Sequence, residues 1–406
     1  MKKYVMLFLI FFCLIICKEV KADSIVPPNI NCKSAITVDI DTGEIIYALN
    51  IDEKAYPASI TKLMTGLILA ESKNKNDILY YTQAAKLEEP FSADYNIHPI
   101  KVGSSINCQT AMDLMLMNST NDIAKMIGDN LSSSNEFPTM MNVKASLLNM
   151  KHTDFANPNG LPNINHYTTS YDLTLLGKAA FLNPWVKEVI SSKSANVIFP
   201  DGFTKEITNT NKILNTSYCI AGKTGFTEAA GRCLLAIFQN NNKKIISVVL
   251  GAPYDTTTVY DDTLKIVNWS FSAKKTVLYK EKVPIKKEKV KFKLFKFFGP
   301  SITVDVPIIS KENISYYGNY INNLELKKST HLSMDPWKLS KNVSIGTVNI
   351  KERDTENSYK LYPSISTGDI QYSLKLLYFS TDIYLFIIYI TFLLITLGII
   401  KIIKCC

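Results

Sequence analysis

The first third of the chain contains hydrophobic patterns with the period of a strand and with the period of a helix. Hydrophobic and polar residues alternate over Ser34–Asp39, and strand character resumes over Ile45–Leu49 after the turn-forming residues 41–44. This arrangement predicts a β-hairpin. A long stretch with a helical pattern follows over residues 59–72, and residues 110–150 are also predicted to be mostly helical.

After Leu182 the pattern changes from helical to strand-like. The strand-like runs cover residues 189–199, 218–222, 233–239 and 244–250. Strands at both ends of this part of the chain enclose a helical middle, which favours one α+β domain whose terminal strands share a sheet. We place this domain at residues 26–272.

The composition changes again near residue 274. Residues 274–296 contain ten Lys against two Glu, and short alternating runs follow at 301–306, 343–350 and 371–377. These runs predict a small all-β domain at residues 275–378. The Lys-rich segment could attract anionic lipid headgroups or an acidic wall polymer, or it could form the solvated face of a strand pair.

Both ends of the chain carry apolar runs. A basic start, an apolar run over residues 4–17 and the small residue Ala22 are the parts of a signal peptide at residues 1–22. Residues 383–400 contain no charge, and Lys401 and Lys404 follow them. This pattern predicts a transmembrane helix at residues 383–403 with its basic end in the cytoplasm. The body of the protein would then lie outside the cytoplasm.

Composition narrows the class of protein. The 406 residues suit two domains with additional segments, and 47% hydrophobic with 20% charged residues excludes a disordered or fibrous chain. The formal net charge of +9 is modest. Four cysteines fall in the predicted exported body, namely Cys32, Cys108, Cys219 and Cys233. Their spacing indicates no zinc site and leaves both two disulfides and four buried thiols open.

One pair of residues at the start of the first long helix is suited to nucleophilic catalysis. Ser59 and Lys62 are three positions apart and follow Pro57, so that on a helix their side chains share one face. A hydroxyl there lies near the unsatisfied N–H groups of the helix start, which favour developing negative charge. Lys62 can accept the Ser59 proton only when neutral, and burial beside a second cation would lower its pKa.

Two further motifs supply polar groups for a substrate. Ser119 and Asn121 lie at a polar break between predicted helices, where they offer a hydroxyl for proton relay and an amide for a substrate carbonyl. Lys223, Thr224 and Gly225 follow at the end of a predicted strand. They offer a positive charge, a hydroxyl and a position without a side chain, against which an extended substrate can lie.

These three motifs, in this order and roughly 60 and 100 residues apart, resemble those of penicillin-binding proteins and serine β-lactamases. The wider match is similar to the low-molecular-mass D-alanyl-D-alanine carboxypeptidases, especially over residues 150–173 and 223–231. The resemblance covers about residues 30–270 and continues more faintly to about 350. It implies a penicillin-binding-protein-like α+β transpeptidase domain, with an antiparallel sheet and a helical region, before the small all-β domain.

The resemblance also implies roles for the first two motifs. Ser59 would be the acyl-enzyme nucleophile and Lys62 its proton acceptor. Ser119 would relay a proton toward the leaving amine, and Asn121 would hold the substrate or help to position Lys62. Thr120 stands where a small residue is common in the family, which is a departure that could affect deacylation.

The third motif is implied to bind the substrate. Lys223 and Thr224 would bind the terminal carboxylate, beside Gly225 on the substrate-binding strand. The backbone N–H groups of Ser59 and Phe226 would form the oxyanion hole, often the largest rate term in acyl transfer. Phe226 stands where many family members carry a polar or imidazole-bearing residue.

The implied activity is removal of the terminal D-alanine from peptidoglycan pentapeptide stems, with no metal or cofactor and with acylation by β-lactams. The implied location is the bacterial inner membrane, held by the C-terminal helix, with the catalytic domain on its extracytoplasmic side. A β-lactamase is an alternative, but no ExxLN segment that would carry its water-activating Glu lies between Asn121 and Lys223. A wall-binding scaffold with an inactive site is a second alternative. No phosphate-binding glycine loop or nucleic-acid-binding module is present, and His152 and His166 are predicted to be structural.

Overall fold

The computed structural model describes residues 26–132, 136–293 and 301–403. The chain divides after Lys274 into two compact units, here called unit 1 and unit 2. The predicted signal peptide at residues 1–22 and the last two cysteines, Cys405 and Cys406, lie outside the described residues.

The strands of unit 1 form one five-stranded sheet and two separate two-stranded antiparallel pairs within the described ranges. They are β1 Ser34–Asp39, β2 Ile45–Leu49, β3 Ile78–Tyr80, β4 Ser105–Asn107, β5 Ser194–Ile198, β6 Thr204–Thr208, β7 Cys219–Thr227, β8 Gly231–Asn240 and β9 Lys243–Ala252. The main sheet is antiparallel and has the order β2-β1-β9-β8-β7. Because β1 pairs with β9, the prediction that the terminal strands share a sheet is confirmed.

The helices of unit 1 lie between and after these strands. They are α1 Lys62–Ser72, α2 Gln83–Lys86, α3 Ala93–Asn96, α4 Cys108–Leu116, α5 Asn121–Leu131, α6 Phe137–Leu147, α7 Ser170–Leu182, α8 Pro184–Ser191 and α9 Thr258–Ser272. Residues 62–69 of α1 are all buried, which makes this helix the centre of the helical region. Ile266 and Val267 of α9 pack with Leu234 and Val249 of the sheet in one hydrophobic core.

The four described cysteines of unit 1 are buried free thiols. Of the two arrangements that their spacing leaves open, the structure therefore shows thiols. Burial raises the pKa of Cys108, Cys219 and Cys233 to about 11. These thiols are inert at neutral pH, because the reactive form is the thiolate.

The predicted strand over residues 189–199 is wrong at its beginning. Helix α8 continues to Ser191, and β5 begins only at Ser194. The cause is a strong helix start, since Asn183 Oδ1 accepts the N–H groups of Trp185 and Val186 at 3.1 Å and Pro184 occupies the first helical position. This cap outweighs the strand preference of the β-branched residues that follow.

Strand β7 is longer than its hydrophobic pattern predicts. It begins at Cys219 and continues to Thr227, so that residues 223–225 lie within the strand and not at its end. Each motif residue has a partner on β8, with Lys223 opposite Leu235 and Gly225 opposite Cys233. Because β7 forms one edge of the main sheet, its other side is open to an extended ligand.

The described strands of unit 2 are β10 Thr276–Tyr279, β11 Pro284–Lys293, β12 Ser301–Ser310, β13 Ile314–Tyr316, β14 Lys327–Leu332, β15 Gly346–Glu352 and β16 Thr355–Pro363. They form a five-stranded antiparallel sheet with the order β11-β12-β16-β15-β14 and a separate pair, β10 with β13. The described helices of unit 2 are α10 Tyr320–Glu325 and α11 Thr367–Ile403. Unit 2 is therefore not all-β.

Helix α11 includes residues 371–377, which the alternating pattern predicts as a strand. That prediction is wrong because a reciprocal cap begins the helix a few residues earlier. Asp369 Oδ2 accepts the N–H of Ser366 at 2.8 Å, and Ser366 Oγ accepts the N–H of Asp369 at 3.2 Å.

Residues 383–403 also fall within α11. In the part of the chain that the structure describes, no helix combines the length and the apolar character that crossing a membrane requires. The predicted transmembrane helix at residues 383–403 is not supported by this finding.

Candidate active site

Ser59 and Lys62 lie where a short 3₁₀-helix passes into α1. The 3₁₀-helix covers Ala58–Thr61, and α1 begins at Lys62, so the two side chains project from neighbouring turns onto one face. Ser59 is half-buried, whereas Lys62 is completely buried. Lys62 Nζ lies 2.8 Å from Ser59 Oγ, within hydrogen-bond reach.

Lys62 Nζ has three hydrogen-bond partners. Besides Ser59 Oγ, they are Asn121 Oδ1 at 2.6 Å and the carbonyl oxygen of Asn159 at 2.8 Å. The amide and carbonyl oxygens can only accept, whereas a serine hydroxyl can donate or accept. In a neutral Lys62 the two N–H groups therefore satisfy Asn121 and Asn159, and the lone pair is directed at the Ser59 hydroxyl.

The surroundings of Lys62 favour this neutral form. Burial lowers the pKa of Lys62 well below its usual value, and the nearby positive charge of Lys223 lowers it further. The carboxylates of Asp122 and Glu88 act in the opposite direction. Desolvation is the larger effect because an ammonium group without surrounding water loses its solvation energy.

Ser119 and Asn121 enter the site from the turn before α5. Ser119 has a φ of +69°, in the left-handed region, and Asn121 is the first residue of the helix. The backbone N–H of Asn121 donates to the Phe91 carbonyl at 2.9 Å, and its Nδ2 donates to the Pro90 carbonyl. These two contacts fix the amide so that Oδ1 is directed at Lys62.

A buried carboxylate supports the segment that orients Asn121. Asp122 is completely buried, and its oxygens accept the N–H of Ala93 at 2.8 Å and the hydroxyl of Tyr81 at 2.9 Å. The same side chain accepts the N–H of Asp94 at 3.1 Å. Neither Asp122 nor Tyr81 is a sequence-level candidate, because both act through their neighbours and do not line the cleft.

Lys223 connects β7 to the turn that carries Ser119. Its side chain is completely buried, and Nζ donates to Ser119 Oγ at 2.8 Å and to the Thr224 carbonyl at 3.0 Å. Burial lowers the pKa of Lys223 to about 7. This lysine therefore changes its charge close to neutral pH, unlike an exposed lysine.

Thr224 is oriented by a residue that the sequence does not mark. Its Oγ1 lies 2.7 Å from Thr210 Oγ1, so one hydroxyl donates to the other. Thr210 is itself held through its carbonyl, which accepts the Tyr260 hydroxyl at 3.3 Å. No sequence motif identifies Thr210, because its position depends on the loop between β6 and β7.

Gly225 allows β7 to pass directly against the turn that carries Ser59. A Cβ at position 225 would lie 3.1 Å from the Ala58 Cβ, the Pro57 carbonyl oxygen and the Ser59 nitrogen. Such distances are tighter than most Cβ contacts, so the absence of a side chain favours this close approach. The backbone N–H of Ser59 is thereby brought beside the strand.

Phe226 follows at the cleft surface with 37% of its side chain exposed. Its ring meets Tyr254 edge-on with 6.0 Å between centroids, and the guanidinium carbon of Arg232 lies 5.0 Å from the ring centroid. Arg232 is held in place by a bond from Nε to the Tyr254 carbonyl at 2.9 Å. Phe226 and Arg232 line the cleft, and Tyr254 contacts both of them.

The predicted site residues converge on one cleft of about 680 Å³. Five of them line it, namely Ser59, Ser119, Thr224, Gly225 and Phe226. Lys62, Asn121 and Lys223 are buried directly behind these residues, through the hydrogen bonds given above. Within the described ranges, no group of three or more His, Cys, Asp or Glu side chains could hold a metal ion.

Residues 150–169 pack against the Ser59–Lys62 turn and support it. His166 Nδ1 accepts the N–H of Ala156 at 3.1 Å, which leaves Nε2–H to donate to Thr61 Oγ1 at 2.9 Å. Burial lowers the pKa of His166 to about 4, so it is neutral at physiological pH. Its contacts are those of a structural residue.

Asn159 is the functional residue in this segment that sequence reasoning misses. Its carbonyl accepts from Lys62, while its side-chain Nδ2 donates to Glu88 Oε1 at 2.7 Å. The Asn-Pro-Asn-Gly sequence at 157–160 is a turn signal that could have drawn attention to it.

A cleft serine paired with a buried lysine, beside the edge strand of an antiparallel sheet, defines a serine acyl-transfer enzyme with the fold of penicillin-binding proteins. Solved structures share this fold. The D-alanyl-D-alanine carboxypeptidase DacD of Francisella tularensis has a TM-score of 0.61 at 22% identity and covers 84% of this chain and 94% of its own. Penicillin-binding protein D2 of Listeria monocytogenes, solved in its ampicillin-bound form, has a TM-score of 0.54 at 27% identity, with 60% and 100% covered.

The family is shown by sequence comparison. The profile of peptidase family S11, D-alanyl-D-alanine carboxypeptidase, matches residues 21–254. The chain is 28% identical over 325 residues to D-alanyl-D-alanine carboxypeptidase DacF of Bacillus subtilis, covering 79% of this chain and 81% of that protein. It is 32% identical over 243 residues to the D-alanyl-D-alanine endopeptidase of Pseudomonas aeruginosa, covering 58% and 76%. The chain belongs to the D-alanyl-D-alanine carboxypeptidase family and is a serine peptidase.

Proposed function

We propose that the protein removes the terminal D-alanine from peptidoglycan stem peptides that end in D-Ala-D-Ala, through an acyl-enzyme on Ser59. The observation that carries this proposal is the set of three hydrogen bonds on Lys62 Nζ. They leave the lone pair of a neutral Lys62 directed at the Ser59 hydroxyl, which is the arrangement that a general base requires.

In the acylation step, the Ser59 proton is transferred along the Ser59–Lys62 hydrogen bond. Ser59 Oγ attacks the carbonyl carbon of the penultimate D-alanine, and its proton moves to Lys62 Nζ. The carbonyl oxygen becomes an oxyanion, for which the backbone N–H groups of Ser59 and Phe226 are the proposed donors. Their support is the close approach of β7 to the Ser59 nitrogen.

Departure of D-alanine requires a proton on its nitrogen. We assign its delivery to Ser119, which passes on the proton that Lys62 has taken from Ser59. The C–N bond breaks, D-alanine leaves as a free amine, and Lys62 returns to its neutral form. Water then attacks the Ser59 ester and gives a proton to Lys62. The C–O bond to Ser59 breaks, and Lys62 returns that proton to Ser59 Oγ, which restores the serine hydroxyl and the neutral lysine.

Recognition of the terminal carboxylate is assigned to β7. The Lys223 ammonium supplies positive charge behind the cleft, and the Thr224 hydroxyl supplies a donor at its surface. The Thr210–Thr224 hydrogen bond supports this assignment because it orients the donor. The peptide itself would extend along the open edge of β7 beside Gly225.

β-Lactams are proposed as inhibitors that acylate the same serine. A strained cyclic amide presents the same carbonyl to Ser59, but its leaving nitrogen stays attached to the acyl group. The Listeria protein with which the chain shares its fold binds ampicillin in its own structure. That likeness supports acylation of Ser59 as the mode of inhibition.

We also place the working enzyme on the outer side of the bacterial cell membrane. This proposal rests on the basic start, the apolar run at residues 4–17 and Ala22, which together resemble an export signal. The proposed substrate lies in the same compartment. Fusion of a reporter enzyme that is active only outside the cytoplasm, after residue 274, tests this location. Reporter activity in intact cells is expected, and an inactive fusion would overturn it.

The activity is tested with the full-length chain and a peptide that ends in D-Ala-D-Ala. Release of D-alanine, measured with D-amino-acid oxidase, is expected for the wild type and should be absent for Ser59→Ala. Mass spectrometry after incubation with penicillin should find the adduct on Ser59. A Ser59→Ala variant that still releases D-alanine, or an adduct on another residue, would refute the proposal.

A further inference from the structure

Four lysines form a single row on the outer face of β11 in unit 2. They are Lys287, Lys289, Lys291 and Lys293, here called the lysine row, and they occupy alternate positions of the strand. The residues between them include Val290 and Phe292, which are buried in the core of unit 2. Because side chains alternate across a strand, the row faces away from that core.

The neighbouring strand does little to neutralise the row. Opposite the four lysines on β12 lie Pro307, Asp305, Thr303 and Ser301, so that one carboxylate faces four ammonium groups. In the described part of the chain, no ion pair joins any of the four to an acidic side chain. By contrast, Lys286 on the other face pairs with Glu288 at 2.5 Å.

The row is carried by a β-ribbon at the edge of the sheet. Strand β11 is an edge strand, and β16 pairs with β12 only over residues 308–310. Residues 301–306 of β12 therefore pair with β11 alone within the described ranges. The inner face of the ribbon is held in place, since Phe292 stacks on Trp337 with 4.3 Å between ring centroids. The lysines are thus presented on an ordered strand.

We propose that the lysine row binds a linear polyanion with a phosphodiester backbone. Alternate strand residues are separated by about 6.7 Å, so the four ammonium groups extend along a line of about 20 Å. A linear arrangement of point charges matches the repeating phosphates of one extended polymer chain. An anionic lipid bilayer presents its charge over a flat surface and would match a broad basic patch, whereas the lysine row is a line.

The physical basis is charge neutralisation with release of counterions. An ammonium group binds phosphate as a point charge, so the contact needs no particular orientation along the polymer. Lysines also protect an edge strand from pairing with other chains, and that role alone would account for isolated lysines. Protection of the edge does not require four lysines on the same face of the strand, with only one acidic residue opposite them.

The test uses the full-length chain and fluorescent, lipid-free poly(glycerol phosphate), with binding followed by anisotropy over a range of NaCl concentrations. For four contacts we expect log K to fall with log salt at a slope of about −3. The row variant Lys289→Gln/Lys291→Gln/Lys293→Gln should bind about tenfold more weakly or worse at low salt, with the slope reduced by about 2.

A matched control removes the same charge from other strands of unit 2. Lys327→Gln/Lys351→Gln/Lys360→Gln changes three exposed lysines on β14, β15 and β16 and should retain wild-type affinity. Thermal unfolding of both variants checks that they fold. If the triple row variant does not fold, Lys291→Gln alone at an exposed position should still reduce the slope by about 0.7.

Three results would overturn the proposal. The first is failure of the wild type to bind the polymer in low salt. The second is an equal loss of affinity in the row and control variants, which would indicate net charge alone. In the third result, the row variant loses binding to phosphatidylglycerol vesicles while its affinity for the polymer stays unchanged. That result would assign the row to a lipid surface.

Discussion

Lys223 Nζ donates a hydrogen bond to Ser119 Oγ across 2.8 Å, which joins the edge strand β7 to the turn before α5. Through this contact, the residue proposed to hold the carboxylate also touches the residue proposed to relay the proton. The positive charge of Lys223 lowers the pKa of Lys62 as well. The two buried lysines therefore have opposite tasks, since one must be charged and the other neutral.

Lys62→Arg should abolish acylation by penicillin. Guanidinium remains protonated at every accessible pH, so it cannot accept the Ser59 proton. We expect the acylation rate to fall at least about a hundredfold, as for loss of a general base. Time-resolved mass spectrometry of the adduct measures this rate. Lys54→Arg, at an exposed position, is the control and should acylate normally. Near-normal acylation by Lys62→Arg would exclude Lys62 as the base.

The pH profile of kcat/KM should have two limbs with different causes. Lys62 must be neutral, and its pKa is lowered by burial and then by Lys223, so acylation should weaken as acid protonates it. Lys223 must be charged, and burial lowers its pKa to about 7, so carboxylate binding should weaken above neutral pH. The alkaline limb should therefore appear as a rise in KM.

Steady-state kinetics with a D-Ala-D-Ala peptide between about pH 6 and pH 9 separates the two limbs. Lys223→Met is the matched variant, because it keeps an unbranched side chain, one atom shorter, without the charge. It should raise KM at neutral pH and remove the alkaline rise. A KM that is constant for the wild type over this range would contradict the role of Lys223.

The sequence predicts those parts of the site that depend on side-chain identity and spacing. The three-residue spacing of Ser59 and Lys62 predicts a shared face on any helix, and the 3₁₀-to-α junction preserves that relationship. The third partner of Lys62 could not be predicted in this way. It is the carbonyl of Asn159, and every residue has a carbonyl, so no residue type marks it.

In the fold, too, some features are predicted by the sequence pattern and others are not. Pairing of β1 with β9 follows from hydrophobic patterns at both ends of unit 1. The error at residues 189–191 arose because a local cap, Asn183 with Pro184, outweighed β-branched residues that favour strands. The contact of Thr210 with Thr224 depends on how a loop folds back, and hydrophobic periodicity carries no information about it.

Thr210→Val should raise KM for the peptide while kcat changes little. Valine keeps the shape of threonine but removes the hydroxyl that orients Thr224 Oγ1. One hydrogen bond is worth about 0.5–1.5 kcal/mol, so KM should rise about two- to tenfold. Steady-state kinetics of D-alanine release gives both constants.

Two companion variants separate orientation from general damage to the cleft. Thr210→Ser restores a hydroxyl and should return KM toward the wild-type value. Thr208→Val removes a hydroxyl from the same cleft without touching the Thr224 pair, and it should leave KM unchanged. If Thr208→Val and Thr210→Val raise KM equally, the hydrogen bond is not the cause.

Gly160→Ala should displace the turn that carries Ser59. Gly160 has a φ of +88°, and a Cβ there would lie 1.9 Å from the Ala58 carbonyl oxygen. Gly202 has the same φ of +88° but no heavy atom within 4 Å of such a Cβ. Gly202→Ala therefore measures the free-energy cost of a positive φ without a steric clash. We expect about 1–2 kcal/mol for Gly202→Ala, and for Gly160→Ala about 3 kcal/mol or more together with slow penicillin acylation. Urea unfolding and adduct formation measure the two effects. Equal destabilisation with normal acylation in both variants would show that the Gly160 contact does not position Ser59.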